Sequence, residues 1–140
     1  MSAGDRGAYC LLIGLEGERV ATIGRLGRFR FPAGYYVYCG SAQRALAARL
    51  ARHRRRSKAL RWHIDYLLAL PGARLLATRA YPSDRRQECA LNQAVQEQAG
   101  ARVVAAGFGS SDCRSGCPAH LTCFPHRPRL PRGVGATPPA

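Results

Sequence analysis

Residues 34–42 read Gly34-Tyr35-Tyr36-Val37-Tyr38-Cys39-Gly40-Ser41-Ala42. The aromatic and β-branched side chains of this stretch favour a β-strand, which should end at its second glycine. Serine is a residue type that caps helix N-termini, so Ser41 predicts a helix over residues 42–55. Leu46 and Leu50 lie one helical turn apart and give that helix an apolar face for packing. The stretch therefore predicts a strand that passes directly into a packed helix.

The segments before and after this strand and helix contain apolar patterns that predict further strands and helices. Residues 9–15 form an apolar run of strand length, and the Glu-Gly turn after it predicts a hairpin with a returning strand at 19–23. The further predicted elements are a short strand at 29–31, a helix at 62–70, a strand at 74–81, a helix capped by Ser83 or Asp84 that extends to about 98, and a last short strand at 103–104. Together they predict an α+β fold in which helices pack on a small, mainly antiparallel sheet.

The end of the chain has a different composition. After Phe124 come five of the nine prolines, few apolar residues and no periodicity. We therefore expect one domain over residues 6–124 and a disordered, proline-rich tail over residues 125–140. No apolar leader and no run of about 18–20 apolar residues is visible, so the expected location is cytoplasmic, without a membrane span.

The charge of the chain is strongly one-sided. Lysine and arginine number 22 against 8 acidic residues, which gives a formal net charge of +14. Lys58 is the one lysine, and the 21 arginines suit planar, bidentate contacts with phosphate. Between Arg19 and Ile64 there are eleven arginines and Lys58 but no acidic residue. A field of one sign over such a length attracts polyanions, so nucleic acid is the expected partner, ahead of an anionic membrane or a ribosome-like surface.

Two tripeptides and two single residues occur in an informative order. Gly7-Ala8-Tyr9 begins the first predicted strand, and Tyr38-Cys39-Gly40 ends a later one. Arg49 follows on the next predicted helix, and Glu88 lies near the start of the third. This order resembles that of the GIY-YIG nuclease superfamily. Three longer strings resemble its Uri-type endonuclease branch more closely, namely residues 34–42, 62–68 and 107–113, and the resemblance covers roughly residues 6–124.

The resemblance implies a one-metal phosphodiesterase. Glu88 would hold Mg²⁺ or Mn²⁺, Tyr9 would position or deprotonate the attacking water, and Tyr38 would hydrogen-bond within the site. Arg49 would neutralise the charge that builds on the phosphoryl oxygens. One carboxylate suffices for Mg²⁺ because that ion keeps most of its waters. Deprotonation by Tyr9 would require cationic surroundings that lower the pKa of its phenol from about 10.

A second group of side chains is expected to assist catalysis or to contact nucleic acid. His53 lies four residues after Arg49 on the same predicted helical face, where it would assist near the scissile phosphate or contact the nucleic-acid backbone. Contacts with phosphate position a nucleic acid without specifying its sequence. Such contacts are expected from Arg44, Arg52, Arg54, Arg55, Arg56, Lys58 and Arg61. The alternative for these basic residues is a solvated surface run, but binding is favoured because no acid balances them. Taken singly, Tyr38, Arg49 and Glu88 also suit ordinary structural roles, and the order of the motifs favours a site.

The six cysteines divide into two groups. Cys10, Cys39 and Cys89 occur in apolar patterns and are expected in the core. The others cluster toward the C-terminus, where a histidine accompanies them, as Cys113, Cys117, His120 and Cys123. These residue types bind zinc, although their spacing matches the usual zinc patterns only in part. The alternative is a loop of reduced cysteines.

Three functions follow from these observations. The first is a metal-dependent endonuclease that hydrolyses phosphodiester bonds in DNA, with branched or single-stranded DNA among the possible substrates. The second is a non-catalytic nucleic-acid-binding module that retains the nuclease fold. The third is a small zinc-stabilised protein associated with RNA or the ribosome. Glu88 and the two tyrosines distinguish the first from the second, and bound zinc would support the third.

Overall fold

The computed structural model describes residues 5–55, 58–83, 86–110, 113 and 115–132. In these ranges the chain forms β1 (Gly7–Leu15), β2 (Arg19–Ile23), β3 (Gly27–Phe31), β4 (Gly34–Ala42), α1 (Leu46–Arg54), α2 (His63–Leu68), β5 (Ala73–Pro82), α3 (Glu88–Gln96) and β6 (Leu121–Phe124). No helix in these ranges is long and apolar enough to cross a lipid bilayer.

A four-stranded sheet lies at the centre of the fold. Its strand order is β5-β1-β4-β6, and each neighbouring pair is antiparallel. β1 is an inner strand that is buried on both faces, which explains why its sequence is a continuous apolar run rather than an alternating one. The predicted α+β class with a mainly antiparallel sheet is confirmed.

The two faces of the sheet pack against separate cores, because successive side chains of a strand point to opposite sides. Tyr9 and Tyr38 belong to the first core, which α1, α2 and the β2–β3 hairpin cover. Cys10 and Cys39 belong to the second core, which α3 covers. Both cysteines are fully buried, as expected from their apolar surroundings. The two tyrosines therefore lie on the face of the sheet that carries the arginine-rich helix α1.

The pairing of β2 differs from the prediction. β2 pairs with β3, from Arg19 opposite Phe31 to Ile23 opposite Gly27, and the two strands form a separate sheet. The predicted hairpin of β1 with β2 is therefore wrong. The physical reason is that both edges of β1 are already hydrogen-bonded, one to β4 and the other to β5. The β2–β3 hairpin instead buries Ile23 and Phe31 against the first core.

Helix α1 begins later than predicted. β4 continues through Ala42, which pairs with Gly7 of β1, so the helix cannot include Ala42, and α1 begins at Leu46. Ser41 lies within the strand and is not the N-cap. The N-cap is Ala45, which has a φ of 56° and makes no side-chain capping hydrogen bond. The pairing between the two motif-bearing strands thus overrides the local preference of serine for a helix start.

Helix α3 also begins later than predicted. It starts at Glu88, whereas the sequence predicted a start capped by Ser83 or Asp84. The backbone amide of Ser83 donates to the carbonyl of Arg6, which extends the pairing of β5 with the residues before β1. Asp84 lies outside the described residues. Glu88 is consequently in the first turn of the helix.

The C-terminal part of the described chain contains a strand that the sequence did not reveal. β6 pairs with β4, from Tyr35 opposite Phe124 to Tyr38 opposite Leu121. At the predicted strand 103–104 the described chain has no strand, and an isolated bridge joins Arg102 to Cys123 instead. A short four-residue strand has too few positions to show a clear period of two.

Part of the predicted tail contacts the domain. Leu130 packs against the second core, and Gln98 exchanges hydrogen bonds with the backbone of Arg129 at 2.8 and 3.2 Å. The hydroxyl of Tyr81 donates to the carbonyl of Pro131. Contacts with the domain therefore continue past the predicted boundary at residue 124, while residues 133–140 lie outside the described residues.

Candidate functional site

An open groove of about 1190 Å³ lies at the end of the sheet where β1 begins and β4 and β5 end. Its walls come from these strand ends, from α1, from the start of α3 and from the loop before β6. The four residues that the motif order grouped together all line it, namely Tyr9, Tyr38, Arg49 and Glu88. Residues far apart in the chain thus share one surface.

Two glycines make this close approach feasible. Gly40 pairs with Tyr9 across the β1–β4 ladder, and a Cβ atom at Gly40 would lie only 2.6 Å from the Tyr9 hydroxyl oxygen. A Cβ atom at Gly7, where φ is +148°, would lie 2.4 Å from the carbonyl oxygen of Tyr81. Neither position tolerates a side chain without a shift of neighbouring atoms. Gly40 is therefore required by packing against the Tyr9 side chain, and Gly7 by its close approach to the backbone of β5.

Tyr9 is hydrogen-bonded to a histidine inside the protein. Its hydroxyl oxygen lies 2.8 Å from Nε2 of His53, and both residues are 2% exposed. Burial lowers the pKa of His53 to about 4, and the nearby charge of Lys58 adds to this effect. The imidazole is therefore neutral at neutral pH and can accept a proton. His53 Nδ1 has no hydrogen-bond partner among the described residues, which leaves an imidazolium little compensation.

The tyrosines themselves are neutral at neutral pH. Burial raises the pKa of Tyr9 well above 10, and this effect exceeds the lowering by Arg49. Burial also raises the pKa of Tyr38, whose ring centroid lies 6.3 Å from that of Tyr9. The cationic surroundings therefore do not lower the pKa of Tyr9 as a phenolate base would require. Desolvation is the larger effect because the side chain is almost completely enclosed.

Ser41 links the arginine and the glutamate of the site. Arg49 donates from Nη1 to the carbonyl oxygen of Ser41 at 2.5 Å. The hydroxyl of Ser41 donates to Oε2 of Glu88 at 2.9 Å. The sequence predicted a helix cap at this residue and missed its position in the site. The signal that was available is its place immediately after the Tyr38-Cys39-Gly40 tripeptide.

The groove is strongly cationic. Among its described lining residues Glu88 is the only acid, and the arginines are Arg6, Arg49, Arg61 and Arg86. The sequence predicted roles for Arg49 and Arg61, whereas Arg6 and Arg86 were missed because they lie outside the acid-free segment. A carboxylate among several cations can bind a divalent ion while the surrounding charge attracts a polyanion.

Trp62 organises several of the arginines. The guanidinium carbons of Arg49, Arg52 and Arg61 lie 4.7, 4.4 and 5.2 Å from its ring centroid. Stacking on an aromatic face holds a guanidinium in place without neutralising it. Arg52 in addition forms a bidentate ion pair with the fully buried Asp65, with both N···O distances at 3.0 Å. Arg52 was predicted to contact phosphate, but its guanidinium donors are used within the protein by Asp65.

The remaining basic residues have different surroundings. Lys58 donates to three backbone carbonyls at the end of α1, at 3.2, 3.0 and 2.8 Å, and so caps that helix. Arg54 donates to a threonine hydroxyl of β5 at 2.6 Å. Arg44 and Arg55 are exposed, and the predicted contact at Arg56 lies outside the described residues.

A second cluster of chemically active side chains adjoins the groove. The ligand atoms of Cys89, Cys113, Cys117 and His120 all lie within 4.8 Å of one another. The sulfur of Cys89 is 3.3 Å from that of Cys113 and 3.6 Å from Nε2 of His120. These four residues could hold a metal ion. Their soft thiolate and imidazole donors suit zinc better than magnesium, which prefers oxygen ligands.

The membership of this cluster corrects the sequence-based set. Cys123 is not part of it, because this residue lies in β6, where its backbone bonds to Arg102 at 2.9 and 2.7 Å and its side chain packs in the first core. Cys89 takes its place. It was expected in the core but is half-buried in the first turn of α3. Its separation of 24 residues from Cys113 hid it from a search for closely spaced ligands.

Comparison with known proteins gives one match. The model of a protein family described as a domain of unknown function, DUF123, matches residues 8–135. No curated protein and no solved structure matches the chain. The matched range contains Tyr9, Tyr38, Arg49 and Glu88 and all four members of the cysteine–histidine cluster.

Proposed function

Since this chain belongs to the DUF123 family, whose function is unknown, we propose a function from the residues that line the groove. The protein would be a metal-dependent endonuclease that hydrolyses phosphodiester bonds in DNA. The proposal includes membership of the GIY-YIG superfamily, in its Uri-type branch. One observation carries it. Tyr9, Tyr38, Arg49 and Glu88 line one groove in which Glu88 is the only acid among the described lining residues.

Glu88 suits a single divalent cation. It is a half-buried carboxylate at the groove wall, and Oε2 already accepts a hydrogen bond from Ser41. Mg²⁺ or Mn²⁺ needs only one or two protein carboxylates, because water and substrate oxygens complete its coordination. When bound there, such an ion would lower the pKa of a water molecule and offset charge on the phosphoryl oxygens.

Tyr9 and His53 would together manage the proton of the attacking water. In the tautomer of neutral His53 that carries its proton on Nδ1, Nε2 accepts from the Tyr9 hydroxyl, whose oxygen still has a lone pair with which to accept a hydrogen bond from water. As the water oxygen bonds to phosphorus and the P–O bond to the leaving oxygen breaks, the water proton would pass to Tyr9, and the leaving oxygen would take up a proton from solvent in the open groove. The Tyr9 proton passes to Nε2 of His53 in the same step. No phenolate has to exist beforehand, which suits the raised pKa of Tyr9.

The arginines would bind and stabilise the phosphodiester. Arg49 is held by the Ser41 carbonyl and by the face of Trp62, so its guanidinium is fixed before substrate arrives. A donor fixed in advance stabilises developing charge without reorganisation. Arg6, Arg61 and Arg86 are exposed along the same groove and would contact neighbouring phosphates.

The test is cleavage of a DNA panel by the wild-type chain and by two glutamate variants. The panel contains duplex, single-stranded, flapped and branched DNA, each with Mg²⁺ or Mn²⁺. Glu88→Gln removes the metal-binding charge but keeps an oxygen that can accept from Ser41, and we expect cleavage to slow by about 100-fold or more. The matched control is Glu97→Ala, which removes an exposed glutamate just after the same helix and should cleave normally.

The competing function is a nucleic-acid-binding module without catalysis. The burial of Tyr9 and Tyr38 favours it, because enclosed phenols with raised pKa values are also what a structural core contains. Binding that falls with salt, together with no metal-dependent cleavage of any DNA in the panel, would establish this alternative. Equal cleavage by the wild-type chain and Glu88→Gln would also reject the proposed role of Glu88.

A further inference from the structure

We propose that Cys89, Cys113, Cys117 and His120 bind one Zn²⁺ ion as a structural site beside the groove. This site uses none of the residues assigned to phosphodiester hydrolysis. It rests on a different observation, which is the convergence of three thiols and one imidazole from α3 and from the loop before β6. Either proposal can therefore fail without the other.

The spacing of the ligand atoms fits tetrahedral zinc. With Zn–S bonds near 2.3 Å and a Zn–N bond near 2.0–2.1 Å, a tetrahedron requires edges of about 3.8 Å between sulfurs and about 3.6 Å from sulfur to nitrogen. The Cys89 to Cys113 distance is 3.3 Å, and the Cys89 to His120 distance is 3.6 Å. The other separations are at most 4.8 Å, so shifts of about 1 Å or less would complete the geometry. All three cysteines are free thiols, and the 3.3 Å between the two nearest sulfurs exceeds the length of a disulfide bond, about 2.05 Å.

N–H groups of neighbouring residues approach two of the sulfurs. The backbone amide of Ser115 donates to the sulfur of Cys113 at 3.4 Å, and the side-chain amide of Gln93 lies 3.8 Å from the sulfur of Cys117. Such N–H donors orient metal-bound ligands and offset their negative charge. The Nδ2 atom of Asn92 donates to the carbonyl of Ala119 at 2.7 Å, which fixes the backbone beside His120 to α3.

Four protein ligands make the site structural rather than catalytic. Catalytic zinc sites keep one coordination position for water or substrate, whereas sites with four cysteine or histidine ligands are closed. Cys89 follows Glu88 directly, so the ion would join the start of α3 to the loop that carries the other ligands. That loop also contacts the groove, because the amide of Gly109 donates to Nδ1 of His63 at 2.8 Å. Zinc would therefore fix one wall of the groove.

The experiment measures metal in the complete chain purified in reductant without added metal. Elemental analysis should find about one zinc per chain, as a closed four-ligand site predicts. Cys89→Ser and Cys117→Ser should each lose most of this zinc. The decisive control is Cys123→Ala, which removes the cysteine nearest to the cluster in sequence but outside it in space. This variant should retain zinc at the wild-type level.

A second measurement uses only the wild-type chain, so its result does not depend on whether the cysteine variants fold. Zinc is removed with a chelator and replaced by Co²⁺, whose visible absorption reports tetrahedral coordination and thiolate ligands. We expect an intense tetrahedral spectrum with sulfur-to-cobalt charge transfer, which disappears as added zinc displaces the cobalt. Three outcomes would overturn the proposal: wild-type protein without zinc, an octahedral cobalt spectrum, or loss of zinc in Cys123→Ala with retention in Cys89→Ser.

Discussion

Tyr9 and His53 illustrate how burial sets the chemistry of individual residues. Their hydrogen bond is enclosed, and removal from water disfavours both the phenolate and the imidazolium. Both groups are therefore neutral near neutral pH, as the raised pKa of Tyr9 and the lowered pKa of His53 indicate. A neutral pair can pass a proton from one member to the other during a reaction. A lone buried phenol would have no such acceptor.

The pKa of His53 leads to a prediction about stability and pH. The folded-state pKa is about 4 and the ordinary value is 6.5, so between these pH values the unfolded chain binds a proton that the folded chain does not. The free energy of unfolding therefore falls as the pH falls through this window, and it is unaffected by His53 above it. Between about pH 7 and about pH 5 the wild-type chain should lose about 2 kcal/mol more than His53→Gln.

Urea unfolding of the two proteins at both pH values measures this difference. Glutamine keeps a hydrogen-bonding group near Tyr9 but does not titrate, so the other histidines and the carboxylates contribute equally to both proteins. Equal losses of stability would show that His53 protonates at an ordinary pKa. The proposed role of neutral His53 as acceptor of the Tyr9 proton would then have no support.

At the scale of elements, the junction of α1 and α2 depends on one buried acid. Asp65 in α2 accepts both guanidinium donors of Arg52 in α1, and it also accepts the backbone amides of Arg61 and Trp62 at 2.9 Å. The acid-free segment of the sequence ends at this residue. Part of its positive charge is therefore neutralised by the first acid that follows it, and the rest is left for the groove.

Asp65→Ala should destabilise the protein far more than loss of a surface ion pair. The change leaves Arg52 with no partner for its charge and exposes two unpaired amides, which should cost about 3 kcal/mol of unfolding free energy. The matched control is Glu18→Ala, because Glu18 pairs at 3.6 Å with Arg30 while both side chains are more than half exposed. That variant should change stability by less than about 0.5 kcal/mol.

Chemical denaturation of the two variants and the wild-type chain decides this comparison. Similar midpoints for Asp65→Ala and Glu18→Ala would mean that the bidentate pair contributes no more than a solvated one. The arginine stack on Trp62 would then have to hold α1 and α2 together without it.

At the scale of the molecule, the fold determines where the positive charge of the chain, formally +14, is concentrated on the surface. The groove gathers four arginines from separate parts of the chain. Others point elsewhere, such as Arg28 on the β2–β3 hairpin, which does not line the groove. Total charge predicts that polyanions bind, and the location of the groove predicts where.

Arg61→Ala should weaken DNA binding in a salt-dependent way. If Arg61 contacts one phosphate, its loss should reduce the slope of log affinity against log salt by about 0.9. Arg28→Ala removes the same charge from an exposed position outside the groove and should leave the slope nearly unchanged. Fluorescence anisotropy with one labelled oligonucleotide across a salt series measures both. An equal effect of the two variants would indicate binding by net charge alone, without use of the groove.

Local features of the sequence determined the fold class, and the resemblance of its motif order to a known family singled out the tyrosine–arginine–glutamate group. Apolar runs, β-branched and aromatic residues, and helical periodicity depend on neighbours in the chain, so the strands and helices could be located approximately. The order of two tripeptides, Arg49 and Glu88 identified residues that do line one groove. The strand and helix signals can be read from the sequence because each is contained within a few consecutive residues, and the motif order can be read because it depends only on positions along the chain.

Other features depend on residues that meet only after folding. The pairing of Ala42 with Gly7 displaced the start of α1 and placed Ser41 in the site. Enclosure of the Tyr9 side chain by helices that are distant in the chain raised its pKa. The replacement of Cys123 by Cys89 in the metal-binding cluster was decided by the packing of α3 beside the loop before β6. Desolvation and side-chain convergence are properties of the folded chain, so only the tertiary structure could decide them.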